Sequence, residues 1–145
     1  MSTDWTLTDR VPTPGEHRRL AESVGWKDAF DQPSLPASLA GSSLGVVASI
    51  GTQVIGMGRV VGDGVKYFYI QDVAVDPAHQ GAGVGRAILE RLVELIARAA
   101  PAPAFVALFA TAAGEPLYRS LGFESGDMTG MFTIIDPAVA TERAG

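Results

Sequence analysis

The chain has 145 residues, 47% of them hydrophobic, and a formal net charge of -5. That length suits one domain, 1–145, with a well-filled core rather than a disordered chain, and the acidic balance argues against binding that rests on neutralising nucleic-acid phosphates with Lys and Arg. There is no cysteine, which excludes disulfides, thiolate metal ligands and a cysteine nucleophile and is compatible with a reducing, cytoplasmic setting.

The opening MSTDWTLTDR lacks the charged-then-apolar pattern of a signal peptide. Trp5 to Leu7 reads as a short strand. Thr13-Pro14-Gly15-Glu16 reads as a helix start, with Thr capping free amides, Pro tolerated at the first helical position and Glu three residues after the cap. Leu20 and Val24 would form its apolar stripe, and Gly25 its end. His17, on this helix, is expected to be solvated. A second short helix is expected over Ser34 to Ala40. Leu35 to Gly58 contains no charge and is long enough to span a bilayer. Its serines and glycines favour two strands instead, Leu44 to Ile50 and Gln53 to Val61, joined at Gly51. No Lys/Arg cluster marks an anionic membrane surface.

Asp63-Gly64 is a strong turn signal, so Val65 to Val75 should pair back on the preceding strand. Tyr67 to Val75 is rich in β-branched and aromatic residues. Asp76 and Pro77 end it. Gln80 to Arg86, QGAGVGR, then brings three glycines just before a helical pattern. Glycine lets the backbone turn sharply and approach a ligand. The first amides of the next helix lack internal partners, so the turn suits a phosphorylated ligand. The helix itself is expected from Val84 to about Ala100, with Val84, Ile88, Leu92, Leu95, Ile96 and Ala99 on one stripe. Pro101 and Pro103 stop it. Ala104 to Ala110 reads as a strand buried on both faces. A short helix over Gly114 to Leu121 and last strands near Phe123 to Asp127 and Met131 to Ile135 complete the chain. The tail from Pro137 is expected to fray.

The glycine turn is not a P-loop, which needs Lys followed by Ser or Thr after its glycines. Nor is it a dinucleotide fingerprint, because a polar spacer separates it from the strand and the third glycine position is Arg86 or Ile88. What remains is Gln-x-x-Gly-x-Gly, at Gln80, Gly83 and Gly85, after a strand ending Val-Asp-Pro. A tight turn without a ligand is the plain alternative.

With VDPAHQGAGVG (Val75 to Gly85) followed by PLYRSLGF (Pro116 to Phe123), the chain resembles the GNAT superfamily of N-acetyltransferases from about Leu44 to Ile135. The resemblance implies an α/β (α+β) fold whose mixed, mostly antiparallel sheet of about six to seven strands is splayed at a bulge near Asp72 and flanked by about four helices. It implies acetyl-CoA as co-substrate, with the pyrophosphate on the backbone of Gln80, Gly81, Ala82, Gly83, Val84, Gly85 and Arg86 and the pantetheine arm on Val73 and Val75. A backbone N–H at the bulge would then stabilise the thioester oxygen as charge develops on it. Tyr118 takes the position of the general acid that protonates the departing thiolate; the alternative for it is a ring that packs on the cofactor arm. Asp72 is the expected base, directly or through water. An acid in an apolar strand is costly unless used or paired, so the alternative for it is an ion pair or a backbone contact at the bulge. His79 is expected to be structural. With only two histidines and no cysteine, a zinc site is not expected.

The sequence departs from the pattern where many relatives carry Asn. Thr111 stands there as the expected CoA contact and offers one hydrogen-bond donor in place of an amide. Trp26, Phe30, Tyr67, Tyr69, Met131 and Phe132 are the expected walls of an acceptor slot. Aromatic walls suit a small, even aromatic, amine, with Asp31 or Asp72 attracting its charge. The acceptor could instead be a protein N-terminus or lysine, and the domain could be a non-catalytic acyl-CoA sensor. Relatives often pair through their last strands, so a homodimer is a further expectation.

Overall fold

The structure is a computed structural model that describes residues 4–138; most of the expected tail falls outside that range. The chain divides into two compact units, one running through Leu108 and the other starting at Phe109.

The first unit holds a five-stranded sheet in sequence order. Strand β1 is Thr6–Thr8, β2 Leu44–Ile50, β3 Gln53–Gly62, β4 Tyr67–Val75 and β5 Phe105–Ala107. The first four pair antiparallel with one another in turn, and β5 pairs parallel to β4. The helices are α1 (Pro14–Ser23), α2 (Leu35–Ala40) and α3 (Val84–Ala99). Among the described residues no helix is long and apolar enough to cross a membrane; the uncharged stretch is α2 and two strands.

Helix α1 begins in a complete capping box. The Thr13 hydroxyl accepts from the Glu16 N–H, and the Glu16 carboxylate accepts from the Thr13 N–H. Its Leu20 packs against β2 to β4, with Val47, Val54, Met57 and Ala74, and its Ala21 is buried too. Helix α3 buries Val84, Ile88, Leu89, Leu92 and Ile96. Each such side chain contributes about 1.5–3 kcal/mol of transfer free energy. Leu89 joins the buried face beside the expected stripe, whereas Ala99 is exposed. Glycines in β3 let α3 approach. A Cβ at Gly56 would stand 2.8 Å from Ile88 Cδ1, and one at Gly58 3.0 Å from both Ile88 and Leu92.

Three expectations need correction. Strand β5 is shorter than Ala104 to Ala110, and Phe105 is 46% exposed, because β5 lies at the sheet edge with one strand neighbour. Among the described residues the sheet has five strands rather than six or seven. Phe123 to Asp127 and Met131 to Ile135 form none, and Met131, Phe132, Ile134 and Ile135 are 76–87% exposed. A strand needs a partner for its ladder, and local β-propensity does not supply one. The last strands through which two copies were expected to pair are therefore not formed. The second unit holds α4 (Glu115–Ser120) and ring contacts of its own, Phe109 with Phe132 and Tyr118 with Phe123.

Candidate active site

The glycine turn is tied to the strand before it. Asp76 N–H donates to the Ile55 carbonyl at 2.8 Å, and Asp76 Oδ1 accepts from the Ala78 N–H at 3.0 Å, forming a single 3-10 turn over Pro77–His79. Gln80 Nε2 reaches back to the Val75 carbonyl at 3.0 Å. Gly81 and Gly83 then adopt φ of +83° and +84°, a conformation that L side chains rarely take. Nothing lies within 4 Å of where a Cβ would stand at either. Helix α3 starts at Val84 without a side-chain cap. An open backbone surface thus faces the positive end of a four-turn helix, which fits a pyrophosphate. Arg86 forms an ion pair with Glu90 at 3.6 Å along the helix. His79 is half-buried within the 3-10 turn.

Strand β4 bulges where the sequence placed it. Met57 pairs with Ala74 and Arg59 with Gln71, so Asp72 and Val73 together oppose Gly58. Asp72 has φ of +57°, alone among the described non-glycine residues in the left-handed region. Beyond Tyr69, β4 keeps β3 on one side and, among the described residues, has no strand on the other, since β5 ends at Ala107. The edge carrying Val73 and Val75 is therefore open.

Asp72 is 9% exposed, and its side chain is not aimed into solvent. Its Oδ2 accepts from Arg59 Nε and faces His17 Nε2, each at 2.9 Å. Burial alone would raise the Asp72 pKa, but the hydrogen bonds and charges of His17 and Arg59 outweigh it and the net shift is downward. Asp72 thus makes the ion pair that was the alternative expectation for it. Arg59 extends the network through Nη1 to the Ser38 carbonyl and Ser42 Oγ, both at 3.1 Å, and through Nη2 to Ser38 Oγ at 3.3 Å.

His17 corrects the expectation of a solvated residue, because it is fully buried. Positions 17, 20, 21 and 24 fall on one helical face, and His17 extends that stripe toward the sheet. Its ring meets Phe30 edge-on, centroids 4.6 Å apart, and its Nδ1 has no hydrogen-bond partner. Neither His17 nor Arg59 was a candidate from the sequence. The available signal was an Arg in one apolar strand and an Asp in the next, with a His on the apolar face of a helix.

The expected acceptor residues separate into groups. Trp26 packs on the core beside Leu20, and Phe30 lies 6.4 Å from it, centroid to centroid. Tyr67 is exposed and meets Phe105 at 6.2 Å. The Tyr69 pKa is raised by burial and by the Asp72 charge. Asp31 accepts from the Ser34 N–H at the foot of α2. Met131 belongs to the second unit, as do Thr111 and Tyr118. Thr111 Oγ1 accepts from the Gly114 N–H at 3.2 Å ahead of α4. Tyr118 sits mid-helix, and burial raises its pKa above the ordinary phenol value. Among the described residues no cluster of His, Asp and Glu fits a metal ion.

Residues 41–125 match the family model described as an acetyltransferase (GNAT) domain. A Glycine max protein named histone acetyltransferase TAP1 is 31% identical over 131 residues, 78% of this chain and 53% of that protein. An Oryza sativa protein named serotonin N-acetyltransferase 2, chloroplastic, is 39% identical over 69 residues, 48% of this chain and 34% of that protein. The chain thus spans about half or less of the length of these two relatives. Among solved structures, a Staphylococcus aureus protein described as a probable acetyltransferase superposes with TM-score 0.81 at 28% identity, covering 90% of this chain and 99% of that one.

Proposed function

Because this chain belongs to the GNAT acetyltransferase family, we propose that it moves an acetyl group from acetyl-CoA to a primary amine. The observation that carries this reading is the adjacency of two features. An uncapped glycine turn lies directly after a strand that bulges and loses its neighbour. The turn, Gln80 to Arg86, suits the pyrophosphate. The open edge of β4 at Val73 and Val75 suits the pantetheine arm, and an amide at the bulge suits the acyl carbonyl.

The reaction moves two protons besides the acetyl group. A lysine-like amine has a pKa of about 10.4, so freeing its lone pair at pH 7 costs roughly 4–5 kcal/mol. A slot that desolvates the ammonium lowers that cost. The neutral amine attacks the acyl carbon, the C–N bond forms, the C–S bond breaks, and the thiolate takes a proton. Tyr118 is the proposed donor, and a phenol with its pKa raised by burial keeps its proton well above neutral pH. Asp72 is assigned to holding the bulge, and the amine's proton leaves to water.

For the acceptor we propose a small amine with an apolar body. The aromatic residues Trp26 and Phe30 beside the bulge network support this, as does the relative named for serotonin. The relative named for histone supports a protein amine as the second reading. A thiol-release assay over arylalkylamines, alkylamines and lysine peptides, with the product weighed by mass spectrometry, tests both. Acetylation of the small amines is expected. Turnover of peptides alone would move the assignment to protein substrates. Tight acetyl-CoA binding with no turnover of any amine would make the domain a sensor.

A further inference from the structure

The buried network around Asp72 is more elaborate than one ion pair requires. A non-glycine residue in the left-handed region is strained, and such a residue persists only when its surroundings over-determine it. Asp tolerates this region better than most residues, and here its side chain is also tied down. One oxygen, Oδ2, meets both Arg59 Nε on β3 and His17 Nε2 on α1. Arg59 in turn grips Ser38 in α2 and Ser42 just beyond it. Two helices and two strands therefore converge on the residue that makes the bulge. His17, Arg59 and Asp72 are 0%, 6% and 9% exposed, so water competes little for these bonds.

Asp72 points to the α1 side, while Val73 Cγ2 lies on the α3 side, 3.4 Å from where a Gly58 Cβ would stand. Because the bulge sets two residues opposite one, the backbone dihedrals of Asp72 decide which way the 72–73 peptide, and with it the Val73 N–H, is turned.

We propose that His17 and Arg59 are positioning residues for acetyl transfer, acting through Asp72 to hold the β4 bulge so that the Val73 amide faces the acyl carbonyl. This rests on the acetyl-CoA reading above. It assigns Asp72 to geometry, and it gives His17 the Nε2–H tautomer, donating to Asp72. The pyrophosphate turn is a separate piece of backbone and the pantetheine arm rests on Val75 as well as Val73, so loss of the clamp lowers kcat far more than cofactor affinity.

The test compares His17→Leu, which removes the donor, with His17→Gln, whose amide can still donate. Arg59→Lys is the third variant, since an ammonium cannot reproduce the guanidinium fork. His17→Leu and Arg59→Lys are expected to lower kcat by about 10²-fold, the scale of a misplaced reacting group, with the acetyl-CoA Kd within about twofold of wild type. His17→Gln should recover most of that loss. Asp72→Asn, which keeps an acceptor oxygen and tolerates the left-handed region, should lose under about tenfold and keep the shape of the pH profile.

A readout independent of turnover is the Val73 amide resonance in a nitrogen-labelled sample. It should move when acetyl-CoA saturates the wild type and move less in His17→Leu at equal saturation. An unmoved Val73 resonance overturns the proposal. So does full kcat in both His17→Leu and Arg59→Lys with only thermal stability lost. Loss of the acid limb in Asp72→Asn would make Asp72 the base and overturn it as well. A wild type that fails to bind acetyl-CoA would instead overturn the function proposed above, which separates the two failures.

Discussion

Tyr118 and Glu16 bear the clearest predictions about single groups. Burial raises the Tyr118 pKa, so the phenol stays protonated through the pH range in which an amine nucleophile works. Tyr118→Phe is expected to lower kcat by about 10²-fold or more and to leave acetyl-CoA affinity in place, measured by steady-state kinetics beside calorimetry. An unchanged kcat would remove Tyr118 from the chemistry. Glu16 is held at a pKa of about 2, against an ordinary 4.5, first by the Arg10 hydrogen bonds and then, against the cost of burial, by those of Thr13. Its folded value lies below its unfolded one. The stabilisation is therefore complete above the ordinary value and is lost as the pH falls from there toward 2. Urea unfolding of Glu16→Gln should show less loss of stability than wild type across that window. Thr13→Ala, which breaks the same capping box, should cost about 1 kcal/mol at neutral pH.

Among the elements, the glycine turn and α3 make separable predictions. Gly83→Ala places a side chain at φ of +84°, a strain of about 1–2 kcal/mol, on a surface otherwise open. The protein should still fold, and its acetyl-CoA Kd should rise about tenfold or more, since the strain is relieved by turning the amides away. Leu92→Ala removes a fully buried side chain from the α3 stripe and should cost about 2–5 kcal/mol in urea unfolding with no specific effect on binding. This division also marks what the sequence makes legible. The turn, α3 and the bulged strand are set by local signals: Gly81 and Gly83 before an amphipathic stripe, Val-Asp-Pro as a strand end, and an Asp inside an apolar run. The Arg59–Asp72–His17 contact joins residues 13 and 55 positions apart in the chain, so only the folded topology brings them together. His17 is legible in part, as the continuation of the Leu20 and Val24 stripe. Met131 to Ile135 has the residues of a strand, but local propensity cannot supply the partner that a ladder needs.

For the whole molecule, the net charge of -5 and the glycine turn pull in different directions. An acidic protein repels an anionic ligand at long range, so the proposed phosphate site has to rest on short-range backbone dipoles rather than on a basic field. Salt should therefore weaken acetyl-CoA binding only slightly, or strengthen it by screening the repulsion, where a lysine-lined site would lose affinity steeply. The central claim is that the uncapped turn and the open edge of β4 form one acyl-CoA site. The most direct test is calorimetric titration of the full chain with acetyl-CoA. The account predicts saturable one-to-one binding in the micromolar range, weakened by Gly83→Ala and retained in His17→Leu. Absence of binding heat at millimolar acetyl-CoA across several temperatures would contradict it.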